Sequence, residues 1–206
     1  MEFQEWGKTH RLFREIVVTE KIDGTNACVI FEKVDGPSEY MPSTSYVIDP
    51  EAGDLYEVGA QSRNRLITPE KDNYGFASWV YGNAEELFAA LGPGRHYGEW
   101  WGAGIQRRYD QPGKRFSLFN THRHADLPEE IGGILVDSVI VLYQGMFSEE
   151  KIVNWARILR QYGSMAAPGF MNPEGICIYH SQTRQVMKFT FDNNDKSKWE
   201  SMEAGK

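Results

Sequence analysis

Residues 15–31 constrain the fold more than any other stretch, because two apolar runs rich in Val and Ile flank a short polar segment. That segment reads Lys21-Ile22-Asp23-Gly24-Thr25-Asn26. The pattern predicts a strand, a tight bend and a second strand, paired as a hairpin. Alternation along the first strand places Lys21 and Asp23 on one face. Gly24 permits a sharp bend or a close approach to a ligand, because glycine has no Cβ. An ordinary Asp-Gly turn with solvated side chains would give the same local pattern.

Length and composition define a broad class. A chain of 206 residues can form one domain with a real buried core. No apolar run approaches the length of a membrane span, and the N-terminus does not resemble a signal peptide. Cys28 and Cys177 lie in apolar, strand-like runs, which predicts buried free thiols in a cytosolic protein rather than a zinc site. The net charge of −7 argues against a surface that binds nucleic acid all over.

Strand patterns outnumber helical ones along the chain. Strands are predicted at 46–48, 55–58, 96–101, 115–119, 134–142, 174–179 and 185–191. One helical stretch is predicted from about 73 to 90, with Asn83 as N-cap of its second part, and another after Ser148. Loops are predicted within 36–45, and a polar tail ends the chain. Because crossover helices do not separate most of the strands, the predicted fold class is α+β with antiparallel sheets.

Several polar residues interrupt these strands, and each taken alone is more simply a surface residue. In chain order they belong to six short segments: Lys21-Ile-Asp23-Gly24-Thr-Asn26, Ser62-Arg63, Tyr97-Gly-Glu99-Trp-Trp-Gly102, Phe116-Ser-Leu-Phe119, Pro173-Glu174-Gly175-Ile and Met187-Lys188. This series resembles the serial motifs of the covalent nucleotidyltransferases, namely ATP-dependent DNA and RNA ligases and mRNA capping enzymes. The first segment is most similar to the RNA ligases, especially the phage nick-sealing branch, where an Asn closes the motif. Six motifs in order are far more specific than one.

The resemblance covers residues 3–191 and implies one nucleotidyltransferase (adenylation) domain over 1–206. Its fold would be antiparallel sheets flanked by helices around a nucleotide cleft. Because 18 residues follow Lys188, we expect neither the OB-fold domain of DNA ligases and capping enzymes nor the small helical domain of nick-sealing RNA ligases. We therefore expect a minimal ligase, for which a separate polypeptide could supply RNA binding.

The resemblance also implies roles near the reacting phosphate. Lys21 would become the lysyl-AMP, and Lys188 would grip the α-phosphate. Glu174, together with Glu99, would bind or orient Mg²⁺ or Mn²⁺. The last family motif commonly carries two lysines one residue apart, whereas Val186 and Thr190 stand at those distances from Lys188. One phosphate-binding cation is therefore missing.

The remaining implied roles concern the nucleoside and the RNA. The backbone at Glu20 would read the adenine edge, and Phe119 would stack on the adenine. Asp23, Arg63 and Glu99 would hold the ribose and the neighbouring phosphate. Asn26 would act when the strands are joined.

The chemistry of the residues supports this assignment independently. A lysine is a nucleophile only when its amine is neutral, which nearby cations such as Lys188 and Arg63 and a bound metal would favour. Attack on an α-phosphorus depends on positioning and on neutralisation of charge. That requirement explains why cations and carboxylates come from distant parts of the chain.

Residues 95–124 hold six Lys or Arg residues against two carboxylates. We expect a polyanion to bind there through Arg107, Arg108, Lys114 and Arg115, with stacking on Trp100, Trp101 and Tyr109. An equally good interpretation makes the arginines solvated and the two tryptophans one core and one surface residue.

The sequence thus predicts an ATP-dependent RNA ligase that joins 5′-phosphate and 3′-hydroxyl RNA ends in the cytoplasm of a bacterial or phage-infected cell. One alternative is a DNA or mixed-strand nick ligase, or a GTP-using nucleotidyltransferase. Another is a nucleotide- or RNA-binding module that has kept the fold and lost turnover. The last is an α+β protein in which the motifs occur by chance.

Overall fold

The computed structural model describes residues 1–37, 46–124 and 126–192. In these ranges the strands are β1 Glu15–Lys21, β2 Thr25–Val34, β3 Tyr46–Ile48, β4 Leu55–Ser62, β5 Leu66–Ile67, β6 Gly94–Gly102, β7 Lys114–Leu118, β8 Glu130–Ile131, β9 Ile134–Ser138, β10 Val141–Met146, β11 Gly175–His180 and β12 Gln185–Thr190. The α-helices are α1 Phe76–Gly82, α2 Ala84–Leu91 and α3 Glu149–Tyr162, and Pro69–Lys71 form a 3₁₀ turn. The predicted loop and tail residues at 38–45 and 193–206 lie outside the described residues.

The strands form two sheets. One has the order β10-β1-β11-β12, and the other has the order β3-β4-β2-β6-β7-β9-β8 with β5 paired to β4. Strands β7 and β9 pair in parallel, and the other described pairs are antiparallel. The predicted α+β class is confirmed, with one parallel pair that the sequence pattern does not indicate. No helix in the described ranges is long and apolar enough to cross a membrane.

The chain divides into two compact units. The first contains residues 1–21 together with the chain from 140 onward, and the second contains residues 22–139. The boundary follows Lys21, so the predicted polar segment belongs partly to each unit. The assignment of residues 1–206 to one nucleotidyltransferase domain stays a prediction.

The core of the first unit lies between the four-stranded sheet and α3. Ile16 and Val18 of β1 and Ile176 of β11 pack there with Ala156 and Leu159 of the helix. The helix begins as predicted, because the Ser148 hydroxyl accepts the Lys151 N–H at 3.3 Å. Its buried stripe follows the helical repeat that the sequence shows.

The core of the second unit lies between the eight-stranded sheet and helices α1 and α2. Alternate residues of β2 (Ala27, Val29 and Phe31) point into it. Trp100 of β6 also lies there and stacks on Trp79 of α1, with ring centroids 5.3 Å apart. The side chains at Asn26 and Cys28 therefore point to the opposite face of the sheet.

Three predicted elements differ from the structure in how they are divided. The strands around Gly24 exist, but they belong to different sheets, so the predicted hairpin is wrong. The predicted strand 134–142 is two strands, β9 and β10, which also belong to different sheets. The predicted helix 73–90 is two helices that meet at Asn83. Asn83 occupies the N-cap position of α2 as predicted. Its side chain makes no capping hydrogen bond there, because Nδ2 donates back to the Trp79 carbonyl at 2.7 Å.

Candidate active site

In the first unit, the Lys21 amine lies against a carboxylate from the other end of the chain. Its Nζ is 2.6 Å from Glu174 Oε2, and the side chains are 22% and 16% exposed. Lys21 is the last residue of β1, and Glu174 immediately precedes β11. The antiparallel pairing of these strands, with Lys21 opposite Gly175, brings together two residues that are 153 positions apart. The structure therefore unites two of the predicted site residues.

Lys188 shares a sheet face with Lys21. Cys177 of β11 lies opposite Thr19 of β1 on one side and opposite Lys188 of β12 on the other. Because directly opposed residues in antiparallel strands point the same way, Lys188 lies on the face of Thr19 and, two residues on, of Lys21. This face is opposite the apolar one that packs on α3. Lys188 is exposed, as an amine that binds a phosphate must be.

Gly175, which lies opposite Lys21, lets strand β12 approach β11 closely. Its φ is +152°, and a Cβ placed there would lie 2.1 Å from the Phe189 carbonyl oxygen. A side chain at this position would push β12 away from β11. Glycine therefore permits the close approach of β11 and β12 at the position that pairs with Lys21 on one side and Thr190 on the other.

Glu20 has a role that the sequence did not indicate. Its side chain points to the buried face and is 1% exposed. One carboxylate oxygen accepts the Ser164 hydroxyl at 2.5 Å, and the other accepts the N–H groups of Met165 and Ala166 at 2.8 and 3.0 Å. Burial raises the pKa of the Glu20 carboxyl, and these three hydrogen bonds oppose the rise. The carboxylate thus fixes the loop after α3 directly beneath β1.

The backbone of Glu20 is partly engaged as well. Its N–H donates to the Ile140 carbonyl at 2.9 Å. An adenine edge could therefore be read there only by the carbonyl, and the predicted role of the Glu20 backbone stays a prediction.

In the second unit, Gly24 and Glu99 are in close contact. The Gly24 N–H donates to Glu99 Oε1 at 3.0 Å. A Cβ on Gly24 would lie 2.5 Å from the Trp100 carbonyl oxygen and 2.7 Å from Trp101 Cβ. Glycine is therefore required because β6 passes close by, and a hairpin turn is not the reason.

Asp23 is held by the segment that follows β6. Its N–H donates to the Tyr109 hydroxyl oxygen at 2.9 Å, and its Oδ2 accepts from Arg107 Nε at 2.9 Å. The sequence missed this arrangement, since 84 positions separate Asp23 from Arg107. The cationic run at 107–108 was a signal, but it pointed equally well to RNA.

Asn26 and Glu99 are direct neighbours in the eight-stranded sheet. Register places Asn26 of β2 opposite Glu99 of β6, on the face away from the helices. Ala27 lies opposite Ser62 of β4, so the exposed Arg63 follows at the end of that strand, at the same edge of β2. Asn26 and Glu99 thus lie in one row of the sheet, and Arg63 follows the neighbouring strand just beyond its last paired residue.

Phe119 is exposed, as a stacking surface requires. It lies just after β7 and donates its N–H to the Tyr97 carbonyl at 2.9 Å. The two aromatic side chains are 42% and 43% exposed, unlike the aromatic residues of the core. Exposed aromatic faces of this kind are suited to stacking on a base.

The predicted RNA surface is wrong in its aromatic part. Trp100, Trp101 and Tyr109 are each at most 1% exposed, so none of them can stack on RNA. Trp100 is buried against Trp79 of α1, and Trp101 is buried against the Tyr109 ring on the other face of the sheet.

The four cations of the predicted RNA surface have different surroundings. Arg107 pairs with Asp23, and Arg115 pairs with Asp137 at 2.6 Å while its guanidinium lies 5.0 Å from the Trp101 ring centroid. Lys114 donates to the Tyr74 carbonyl at 2.6 Å. Arg108 is exposed. RNA binding by Arg107, Arg108, Lys114 and Arg115 stays a prediction.

Each unit carries one predicted metal-binding carboxylate, Glu174 in the first and Glu99 in the second. Within 1–37, 46–124 and 126–192, no group of three or more His, Cys, Asp or Glu side chains could hold a metal by itself. Mg²⁺ and Mn²⁺ need only one or two protein carboxylates when substrate phosphates and waters complete the shell. Glu174 and Glu99 are hard oxygen donors of that type.

Solved structures share this fold. A Naegleria gruberi RNA ligase mutant with AMP and Mn is 17% identical, with a TM-score of 0.53 over 87% of this chain and 50% of that one. Two further mutants of that organism's RNA ligase, with ATP and Mn, are also 17% identical. Their TM-scores are 0.52 and 0.53, over 86% and 92% of this chain and 50% and 52% of theirs. This chain therefore spans about half the length of these ligases, and at this identity the likeness shows a shared fold.

The family follows from the sequence itself. The RNA ligase family model matches residues 14–197. The chain belongs to the RNA ligase family. No curated protein matches the chain.

Proposed function

We propose that this protein is an ATP-dependent RNA ligase that first transfers AMP to its own Lys21. The carrying observation is the 2.6 Å contact between Lys21 Nζ and Glu174 Oε2. Membership of the RNA ligase family supports the reaction class, and the ligases of similar fold were solved with ATP or AMP and Mn.

In the proposed first step the Lys21 amine attacks the α-phosphorus of ATP. A bond forms between Nζ and phosphorus, and the bond from phosphorus to the bridging oxygen of pyrophosphate breaks. The amine must lose a proton beforehand, and Glu174 Oε2 is within hydrogen-bond reach to accept it. Lys188, on the same sheet face, is the proposed cation for the α-phosphate. When bound, a divalent metal would neutralise phosphate charge, and Glu174 and Glu99 are the residues proposed to hold it.

The nucleoside is proposed to bind through residues of the second unit. Phe119 offers an exposed ring for the adenine, and Asp23, Arg63 and Glu99 offer polar groups for the ribose and the neighbouring phosphate. The Glu99 carboxylate is oriented by the Gly24 N–H. Preorganised groups of this kind hold a substrate without reorganising during the reaction.

Two transfers complete the proposed reaction. The RNA 5′-phosphate attacks the lysyl-AMP and takes the AMP, which frees the Lys21 amine. The 3′-hydroxyl of a second RNA end then attacks that phosphate and releases AMP, and Asn26 is proposed to act in this last step. We propose a cytoplasmic location and leave room for a separate RNA-binding partner.

The test is retention of label on the protein. Incubation with α-labelled ATP or GTP and Mg²⁺ or Mn²⁺, followed by denaturation, should leave covalent label from ATP that Lys21→Ala abolishes. Lys33→Ala is the matched control, because Lys33 also pairs with a carboxylate, Asp54 at 2.7 Å, at an exposed site. Label in the control and none in Lys21→Ala supports the proposal. No label in the unmodified protein would favour the nucleotide- or RNA-binding module.

The acceptor is tested with the charged protein. Adenylated protein is mixed with 5′-phosphorylated RNA, DNA or mixed strands that carry 3′-hydroxyl ends. We expect joined RNA. Joining of DNA in preference to RNA would establish the alternative, a DNA nick ligase.

A further inference from the structure

The segment between β6 and β7, residues 103–113, has a backbone that ordinary side chains disfavour. Gln106, Arg108, Tyr109 and Asp110 have φ angles of +43°, +62°, +51° and +52°. Two other non-glycine residues in the described ranges, Tyr74 and Arg184, have positive φ. Left-handed conformations cost energy for such residues and persist where the surroundings enforce them, often at functional sites. We call this segment the β6–β7 loop.

Packing and hydrogen bonds hold the β6–β7 loop in this shape. The buried Tyr109 ring meets Trp101 edge to face, with centroids 5.2 Å apart and planes at 73°. The Ala103 N–H donates to the Gly113 carbonyl at 2.9 Å and closes the base of the loop. The Gln111 side chain donates to the Tyr109 carbonyl at 3.1 Å. The loop is thus a fixed support and not a free cationic arm.

The β6–β7 loop makes two hydrogen bonds to Asp23. Tyr109 fixes its backbone through the N–H, and Arg107 fixes its carboxylate through Oδ2, each at 2.9 Å. The Arg107 side chain is 15% exposed and the Asp23 side chain 31%, so the pair is partly shielded from solvent. Because an ion pair is stronger where water is excluded, Arg107 can hold the carboxylate in one rotamer.

One oxygen of Asp23 is left for a ligand. Oδ1 receives no hydrogen bond from the residues that the structure describes, and the side chain is 31% exposed. A carboxylate anchored by one oxygen presents the other in a defined direction. Such an oxygen accepts a hydrogen bond from a sugar hydroxyl and makes no hydrogen bond to a sugar that lacks the hydroxyl.

We propose that Arg107 is a positioning residue that aims Asp23 Oδ1 at a sugar hydroxyl of the nucleotide donor and so sets the preference for ATP over deoxy donors. The inference rests on the proposed function, since it concerns the donor of the adenylation step. It gives Arg107 a task in the first step, distinct from the predicted contact with RNA.

The experiment measures covalent adenylation of the protein at varied concentrations of ATP, 2′-deoxy-ATP and 3′-deoxy-ATP. Arg107→Gln should raise KM for ATP about 10-fold with little change in kcat, because an aimed charged hydrogen bond is lost. The KM of the Arg107→Gln variant for one of the two deoxy donors should stay unchanged. The variant would then no longer discriminate against that donor, and the hydroxyl that this donor lacks is the one that Asp23 binds. Arg107→Lys keeps the charge without the planar guanidinium and should recover part of the discrimination.

Arg95→Gln is the matched control. Arg95 also pairs with a carboxylate, Glu32, but on an exposed part of the same sheet. It should keep the ATP preference of the unmodified protein. Unfolding curves of every variant check the fold, and Arg107→Lys is measured if Arg107→Gln does not fold.

The inference is overturned if the unmodified protein does not discriminate among the three donors, or if Arg107→Gln keeps its discrimination. An equal loss with all three donors also overturns it, because Arg107 would then serve the phosphates or the fold. Absence of adenylate from the unmodified protein with every donor is a different result, which rejects the proposed function itself.

Discussion

The pair of Lys21 and Glu174 is the residue-scale feature on which the proposed chemistry depends. The sequence resemblance indicated both residues, and the structure gives their separation as 2.6 Å. Besides its proposed role in metal binding, Glu174 has a carboxylate close enough to take the amine proton. A second residue-scale feature is Gly24, where the close approach of β6 leaves no room for a side chain.

Glu174→Gln should lower the rate of adenylate formation by about 100-fold or more, since the amide cannot accept the lysine proton. Single-turnover labelling with α-labelled ATP measures the rate. Asp54→Asn, which alters the surface pair with Lys33, should keep the rate. If the Glu174→Gln variant formed adenylate at the rate of the unmodified protein, proton transfer would not involve this carboxylate.

Gly24→Ala should destabilise the protein by about 1–3 kcal/mol, because the new methyl group would overlap the Trp100 carbonyl. The free energy of unfolding in urea measures this. Gly82→Ala is the control, since a Cβ on Gly82 meets nothing within 4 Å. A Gly24→Ala protein as stable as Gly82→Ala would contradict the close approach of β6.

At the scale of elements, strand β1 has two different faces. Lys21 points to the face opposite α3, and its neighbour Glu20 points to the buried face and holds the loop after α3. Neighbouring residues of a strand point to opposite faces, so alternation accounts for the two directions. It could not predict the partners of Glu20, because Ser164 is 144 positions away.

Glu20→Ala should destabilise the first unit by about 3 kcal/mol, because it leaves three hydrogen-bond donors of the loop unpaired. Glu20→Gln keeps an oxygen for the two backbone N–H groups and should cost less. Urea unfolding of both variants is compared with Glu15→Ala, an exposed change on the same strand. Equal stability of Glu20→Ala and Glu15→Ala would refute the role of Glu20 in holding the loop.

At the scale of the whole molecule, buried histidines link stability to pH. His96 is buried in the second unit, where its Nε2 hydrogen-bonds to the Gly92 carbonyl at 2.9 Å and its Nδ1 lies 3.4 Å from His124 Nε2. Burial, aided by the positive charge of Arg123, lowers the pKa of His96 from 6.5 to about 4. The unfolded chain therefore binds a proton that the folded protein does not.

Stability should be full above pH 6.5 and fall by about 3 kcal/mol as the pH drops to about 4, because protonation favours the unfolded chain in that window. His96→Gln should flatten this dependence, whereas His10→Gln, an exposed change, should not. Urea unfolding between pH 4 and 7.5 measures the slopes. Equal slopes for the unmodified protein and His96→Gln would reject this source of pH dependence.

The sequence by itself determined most of the elements, the α+β class, the helix that starts after Ser148 and the ordered motifs that place the chain in its family. These depend on neighbouring residues, on alternation and on the residue types that phosphoryl chemistry needs. Tertiary structure decided that the strands around Gly24 join different sheets, that Trp100 and Trp101 are both buried, and that Arg107 binds Asp23. Such outcomes depend on packing between residues far apart in the chain, and no local pattern records which partner a strand or a charge will find.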